Sequence, residues 1–144
     1  SDGDGFNTTF SLFDGTGGSP LQSIAASATT TGGSGKAAFA LENTGDSAVI
    51  VTGLRINSTT SNSVTQVSAN GNNPSLTSGG ADLFSGTITV GGSRVTFDQS
   101  EQINAGETAE FEFDRFNQDV RGEDVVITIF LADGSSEEFT LSYP

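Results

Sequence analysis

The side chains in this chain that can carry chemistry are almost all carboxylates: eighteen Asp and Glu stand against five Lys and Arg, and His, Cys, Met and Trp are absent. Without imidazole or thiol there is no histidine-assisted nucleophile, no thiolate chemistry and no Cys/His metal set. A serine nucleophile needs a base, and the one lysine, Lys36, adjoins a glycine-rich turn where it reads as solvated. Paired carboxylates can hydrolyse glycosides, but Glu110 with Glu112 and Glu137 with Glu138 read as lying on outward faces of strands. The residues therefore point away from an enzyme.

Two groups of acids invite a metal reading. Asp2-Gly3-Asp4-Gly5 has the opening of a calcium loop without its distal glutamate. Asp114, Asp119, Glu123 and Asp124 are the candidate calcium ligands, although a solvated acidic loop accounts for them more simply, because calcium needs several converging oxygens. No cofactor other than such a calcium ion is expected. Asn7-Thr8-Thr9 and Asn57-Ser58-Thr59 are acceptor sequons for N-linked glycans. Asn57 is the better candidate, since 57–62 reads as an exposed turn.

The net charge of −13 repels polyanions and excludes general affinity for nucleic acid or anionic membranes. It also strains the compact state by self-repulsion unless salt screens it. Acidity almost free of lysine fits a protein from a high-salt environment, with an ordinary acidic secreted domain as the alternative. No apolar stretch reaches the length of a membrane span. The opening Ser1-Asp2-Gly3-Asp4-Gly5 reads as a mature chain after removal of an export signal, and a truncated chain would look the same.

The elements that position these residues are short strands. Val125 to Leu131 is apolar on both faces except at Thr128, an Asp133-Gly134 turn follows, and Phe139, Leu141 and Tyr143 return on one face. This is a β-hairpin whose first strand asks for cover on both sides. Ala37, Phe39 and Leu41 alternate inward, as do Ala109, Phe111 and Phe113, with Glu110 and Glu112 outward. Val49 to Ile56 forms a strand with a bulge at Gly53. Leu83 to Val90 and Arg94 to Phe97 flank Gly91-Gly92 as a hairpin, 69–80 is irregular, and Leu21 to Ala28 is a short strand. No segment has a capped amphipathic helix. The pattern predicts one all-β domain over residues 21–144, an antiparallel immunoglobulin-like or jelly-roll-like sandwich of about 8–10 strands.

Residues 1–20 form a separate amino-terminal segment. Phe6, Thr8, Phe10 and Leu12 share one face of a strand that ends at Phe13, and the seven residues Asp14 to Pro20 tether it, each spanning up to ~3.3 Å. Such a strand is free to add to a neighbouring subunit, although a place in its own sandwich stays open.

Phe39-Ala40-Leu41-Glu42-Asn43-Thr44-Gly45, Val49-Ile50-Val51-Thr52-Gly53 and Ile103-Asn104-Ala105-Gly106-Glu107 together resemble the turn grammar of immunoglobulin-like domains in archaeal surface proteins. The likeness covers roughly Lys36 to Tyr143. It is similar to the headpieces of archaeal pilins and archaellins, and the donor-like amino terminus resembles bundling pili and TasA-like fibres, whose subunits polymerise by donating a strand. The resemblance implies an extracellular structural subunit, a homopolymer with no nucleic-acid partner, that donates Phe6, Thr8, Phe10, Leu12 and Phe13 to a neighbour. Val126, Phe130, Phe139, Leu141 and Tyr143 are the candidates for the receiving groove. The alternatives are a monomeric cell-surface adhesion or carbohydrate-binding module and a structural protein of a halophilic virus.

Overall fold

A computed structural model of the chain describes residues 24–31, 35–69, 74–79 and 81–144. The candidate donor strand from Phe6 to Phe13, and the sequon at Asn7, lie outside the described residues. The described residues form eleven strands in order: β1 (Ile24–Thr31), β2 (Ala37–Asn43), β3 (Val49–Thr59), β4 (Gln66–Val67), β5 (Leu76–Ser78), β6 (Ala81–Phe84), β7 (Ile88–Thr89), β8 (Val95–Ile103), β9 (Thr108–Phe113), β10 (Asp124–Leu131) and β11 (Ser136–Ser142). Every strand pairing among them is antiparallel. The excess over the expected number comes from β5, three residues inside the stretch 69–80 expected to be irregular, and from the division of the expected strand Leu83 to Val90 into β6 and β7.

One sheet has the order β1-β2-β9-β5-β6, a second β11-β10-β3-β8, and β4 with β7 form a two-stranded ribbon. Immunoglobulin-type sandwiches place strands A, B, E, D in one sheet and G, F, C in the other. Here β1-β2-β9-β5 occupies the first arrangement and β11-β10-β3 the second, with β8 in the additional place beside C. The fold is thus an all-β immunoglobulin-like sandwich. It departs from the usual chain order, because β5 and β6 fill the D edge before the chain returns to form β8. The sheets meet along two seams, where β1 lies beside β11 and β6 beside β8.

The interior is aromatic. Phe39 and Phe111, directly paired across β2 and β9, stack with centroids 5.1 Å apart, Phe113 tilts onto Phe39 at 5.3 Å, and Phe116 meets Phe113 edge-on at 5.1 Å. All four rings are buried, which stabilises the fold by about 1.5–3 kcal/mol per side chain. The β10–β11 hairpin forms as expected, with Ile127 opposite Phe139 and Val125 opposite Leu141. So does the bulge at Gly53, where the register of β3 shifts against both β8 and β10. A Cβ at Gly53 would stand 2.4 Å from the carbonyl oxygen of Val95, so close passage of β8 requires glycine here.

Three expectations change. The Gly91-Gly92 turn does not join a hairpin: β7 pairs with β4, and β8 pairs with β3. The turn is held instead by Gly91 N–H donating to Ile56 O at 2.7 Å, and the partly buried Val95 pairs with Leu54 on the apolar face of β3. Second, β8 continues through the polar run to Ile103, because an edge strand needs cover on one side only. Third, β3 runs to Thr59, so Asn57 lies within a strand and not in an exposed turn.

The motifs at Asn43 and at Asn104 to Glu107 turn out to be one knot. Asn43, fully buried, donates from Nδ2 to Ser47 O at 2.8 Å and Ile103 O at 2.9 Å, and accepts at Oδ1 from Gly45 N at 3.0 Å. Its main-chain N–H donates to Glu107 O at 2.9 Å, and its carbonyl accepts from Gly106 N at 2.8 Å. The β2–β3 and β8–β9 turns are tied together by this single residue, and every polar atom in it is met.

Candidate functional surface

The outer face of the four-stranded sheet is set by the alternation of β10, whose odd-numbered residues from Val125 to Leu131 are buried while Val126, Thr128 and Phe130 are half-buried. Arg55 pairs with Thr128, and Phe130 with Gly53. The second cover that β10 demands comes partly from long polar side chains of its own sheet. Arg94 holds its guanidinium carbon 4.7 Å from the centroid of Phe130, a cation–π contact. Arg55 donates from Nε to Gly92 O at 2.6 Å and from an Nη to Asn57 Oδ1 at 2.9 Å. Asn57 in turn donates to Thr128 Oγ1 at 2.8 Å and to Glu138 Oε2 at 2.7 Å. Beside the Arg94–Phe130 pair a groove of about 350 Å³ runs past Thr52, Gly53, Thr96 and Gly134.

The outer face of the five-stranded sheet is of the opposite kind. Ala25 and Ser27 of β1 and Ala40 of β2 leave a depression of about 250 Å³ bordered by Glu42 and Thr108. Glu42, Glu110 and Glu112 are exposed, and Glu112 and Asp82 share a side through their common partner Thr77. Thr29 donates to Glu110 Oε2 at 3.0 Å.

The proposed groove residues do not share one face. Val126 and Phe130 point outward, whereas Phe139, opposite Ile127, packs partly against the core, and Leu141 and Tyr143 are buried in it. The period-2 alternation of β10 separates them, and of the core-facing three only Phe139 is partly covered. The candidate calcium ligands are also dispersed. Asp114 is buried 3.8 Å from Lys36 Nζ, Asp119 binds Arg121, Glu123 accepts from Ser61 N at 2.7 Å, and Asp124 begins β10. Hydrogen bonds from Arg121 hold the Asp119 carboxyl below its ordinary value. Among the described residues no three acids gather in a way that could hold a metal ion.

Asn57 differs from the expectation in place: it is half-buried in β3, and its Nδ2 donates to Thr128 Oγ1 and to Glu138 Oε2 on the face of the sheet. Glu137 and Glu138 are likewise not both outward. Glu137 stands opposite the buried Ile129 and is half-buried, and burial raises its carboxyl. The Arg94–Phe130 contact has no signal in the sequence, because the two residues lie on or beside strands that share no direct ladder, each pairing with β3.

No helix among the described residues is long and apolar enough to cross a membrane. No protein-family model and no curated protein matches the chain. Among solved structures, the ASH / PapD-like domain of human CEP192 (PapD-like domain 7) is similar over 93% of this chain and 92% of its own, with 12% sequence identity and a TM-score of 0.39. A likeness at that level adds nothing to the topology described above.

Proposed function

We propose that the chain is an extracellular structural subunit that polymerises by adding its amino-terminal strand, Phe6 to Phe13, to the sheet edge of a neighbouring copy. The observation that supports this is the seam between β1 and β11. Among the described residues both are edge strands, and Ala26 and Ala28 of β1 and Phe139 of β11 are only partly buried. The other edges suit strand addition less well: β6 has four residues, and β8 is bulged and carries Asp98 and Glu101, features that blunt an edge. The β1 segment IAASATTT has neither charge nor proline.

The donor's pattern fits such a place. Backbone hydrogen bonds would extend the sheet, and Phe6, Phe10 and Leu12 would complete the apolar side of the seam. Residues 14–23, the ten between donor and β1, can span about 33 Å, enough to reach a second copy. A contact of this type is heterologous and generates open filaments. Deleting residues 1–13 tests it by electron microscopy and sedimentation: loss of filaments with the sandwich still folded is expected, and filaments of normal length from the truncated chain would refute it.

A further inference from the structure

We propose that the two outer faces of the sandwich dock on one another between copies, the arginine-bearing face of the four-stranded sheet seating on the acidic face of the five-stranded sheet of a second copy. Charge complementarity carries the inference. Of the five cations in the chain, Arg55 and Arg94 are on or beside the strands of one sheet, and both serve the same outer face, where the exposed Glu138, opposite Thr128, is held by Asn57. The other outer face presents Glu42, Glu110, Glu112 and Asp82, all exposed, and among the described residues its strands contain no cation.

The chemistry of the two sides matches. Arg55 is engaged by carbonyl and amide oxygens of its own chain. Arg94 is exposed, and neither arginine forms an ion pair among the described residues, where the pairs are Lys36–Asp114 and Arg121–Asp119. A guanidinium held over an aromatic ring keeps its N–H edge for a planar carboxylate.

A face four strands wide and six residues long measures roughly 19 by 20 Å, about 400 Å² per copy, below what a stable isolated pair needs. The contact is therefore weak singly. It is also heterologous and does not close on itself, so copies add into an array in which many weak contacts act together. No residue of the amino-terminal strand takes part, and the contact stands whether or not strands are exchanged.

Charge reversal in the full chain tests this, with association measured by sedimentation and light scattering over a concentration series. The salt is set high enough to screen the −13 repulsion. R94E alone, and E110R/E112R alone, are each expected to weaken lateral association about tenfold or more. An equimolar mixture of the two should restore it, because the carboxylate introduced in one variant then meets the guanidinium groups introduced in the other. Unchanged association of R94E, or a mixture no stronger than its components, would overturn the proposal. The near-ultraviolet signal of the only tyrosine, Tyr143, reports folding of each variant. The F10D/L12D variant separates the two contacts: it should abolish filaments built by strand addition and leave the charge-swap result intact.

Discussion

The ladder between β2 and β9 is closed in opposite ways at its two ends. At the Asn43 end, one buried amide meets two turn residues and the last residue of β8, and its own backbone meets two residues of the β8–β9 turn. At the other end, Ala37 pairs with Phe113, and beyond them Gly35 O accepts from Phe116 N at 2.9 Å while Asp114 N donates to Ser75 O at 2.9 Å. There the buried polar group is imperfectly met: among the described residues Asp114 Oδ2 has no hydrogen-bond partner, and Lys36 stands 3.8 Å from the other oxygen with half its side chain in solvent. The first end is held by a side chain and the second by backbone fit. Substitutions at the two ends should therefore fail for different reasons.

Gly35 is the largest test of that contrast. Its φ is +84°, and a Cβ would stand 2.2 Å from the carbonyl oxygen of Phe116, a backbone atom that cannot swing aside. G35A combines left-handed strain with this clash and is expected to cost about 3–4 kcal/mol in urea denaturation. A loss below ~1 kcal/mol would show that the second end tolerates rearrangement. N43A comes next, at about 2–3 kcal/mol, through three lost side-chain hydrogen bonds and the unmet carbonyls of Ser47 and Ile103. N43D should be no better, because a carboxylate cannot donate to those carbonyls, and a rescue by Asp would break the account of the knot.

The same contrast explains what can be read from the sequence. The alternation at Phe39 and Leu41, at Phe111 and Phe113, and along β10 places the core correctly, since period 2 with one buried face leaves little choice. The Asn43-Thr44-Gly45 and Ala105-Gly106-Glu107 turns are recognisable as turns. That they bind each other is not, because the bond between Asn43 Nδ2 and Ile103 O spans sixty residues. Gly35 looks like one of several loop glycines, and nothing local distinguishes it from Gly79, whose Cβ would meet nothing. The surface is the least legible part. Ser58, Thr59 and Thr60 give Asn57 the look of a turn residue, whereas β10 extends β3 by pairing as far as Thr59. The groove residues group naturally on one hairpin, and its alternation then divides them between two faces.

Tyr143 provides a smaller test in the other sheet, near the start of β10. Its hydroxyl is buried without a partner among the described residues, and burial pushes its pKa above the ordinary value of 10.0. The native state therefore holds the proton more tightly than the unfolded chain. This contribution to stability is fully present below pH 10.0 and is lost as the pH rises through the folded-state value. Y143F removes an unmet group and should leave stability at neutral pH unchanged or slightly higher, within about 1 kcal/mol. It should also flatten the alkaline limb of a stability–pH profile, and an equally steep limb in Y143F would assign that limb to other groups.

The smallest expected effect belongs to the ion pair at the second end. Lys36 is half in water and its ammonium is distant from Asp114, so K36A should cost under about 1 kcal/mol. D114N tests the same pair from the buried side. An amide there loses the attraction of Lys36 but removes a buried charge with an unmet oxygen, and the two changes oppose each other. A net change under about 1 kcal/mol is expected, well short of N43A although Asn43 and Asp114 are both buried. A D114N loss as large as that of N43A would mean that the carboxylate ties its end of the ladder as tightly as the amide ties the other, and the contrast between the ends would fail.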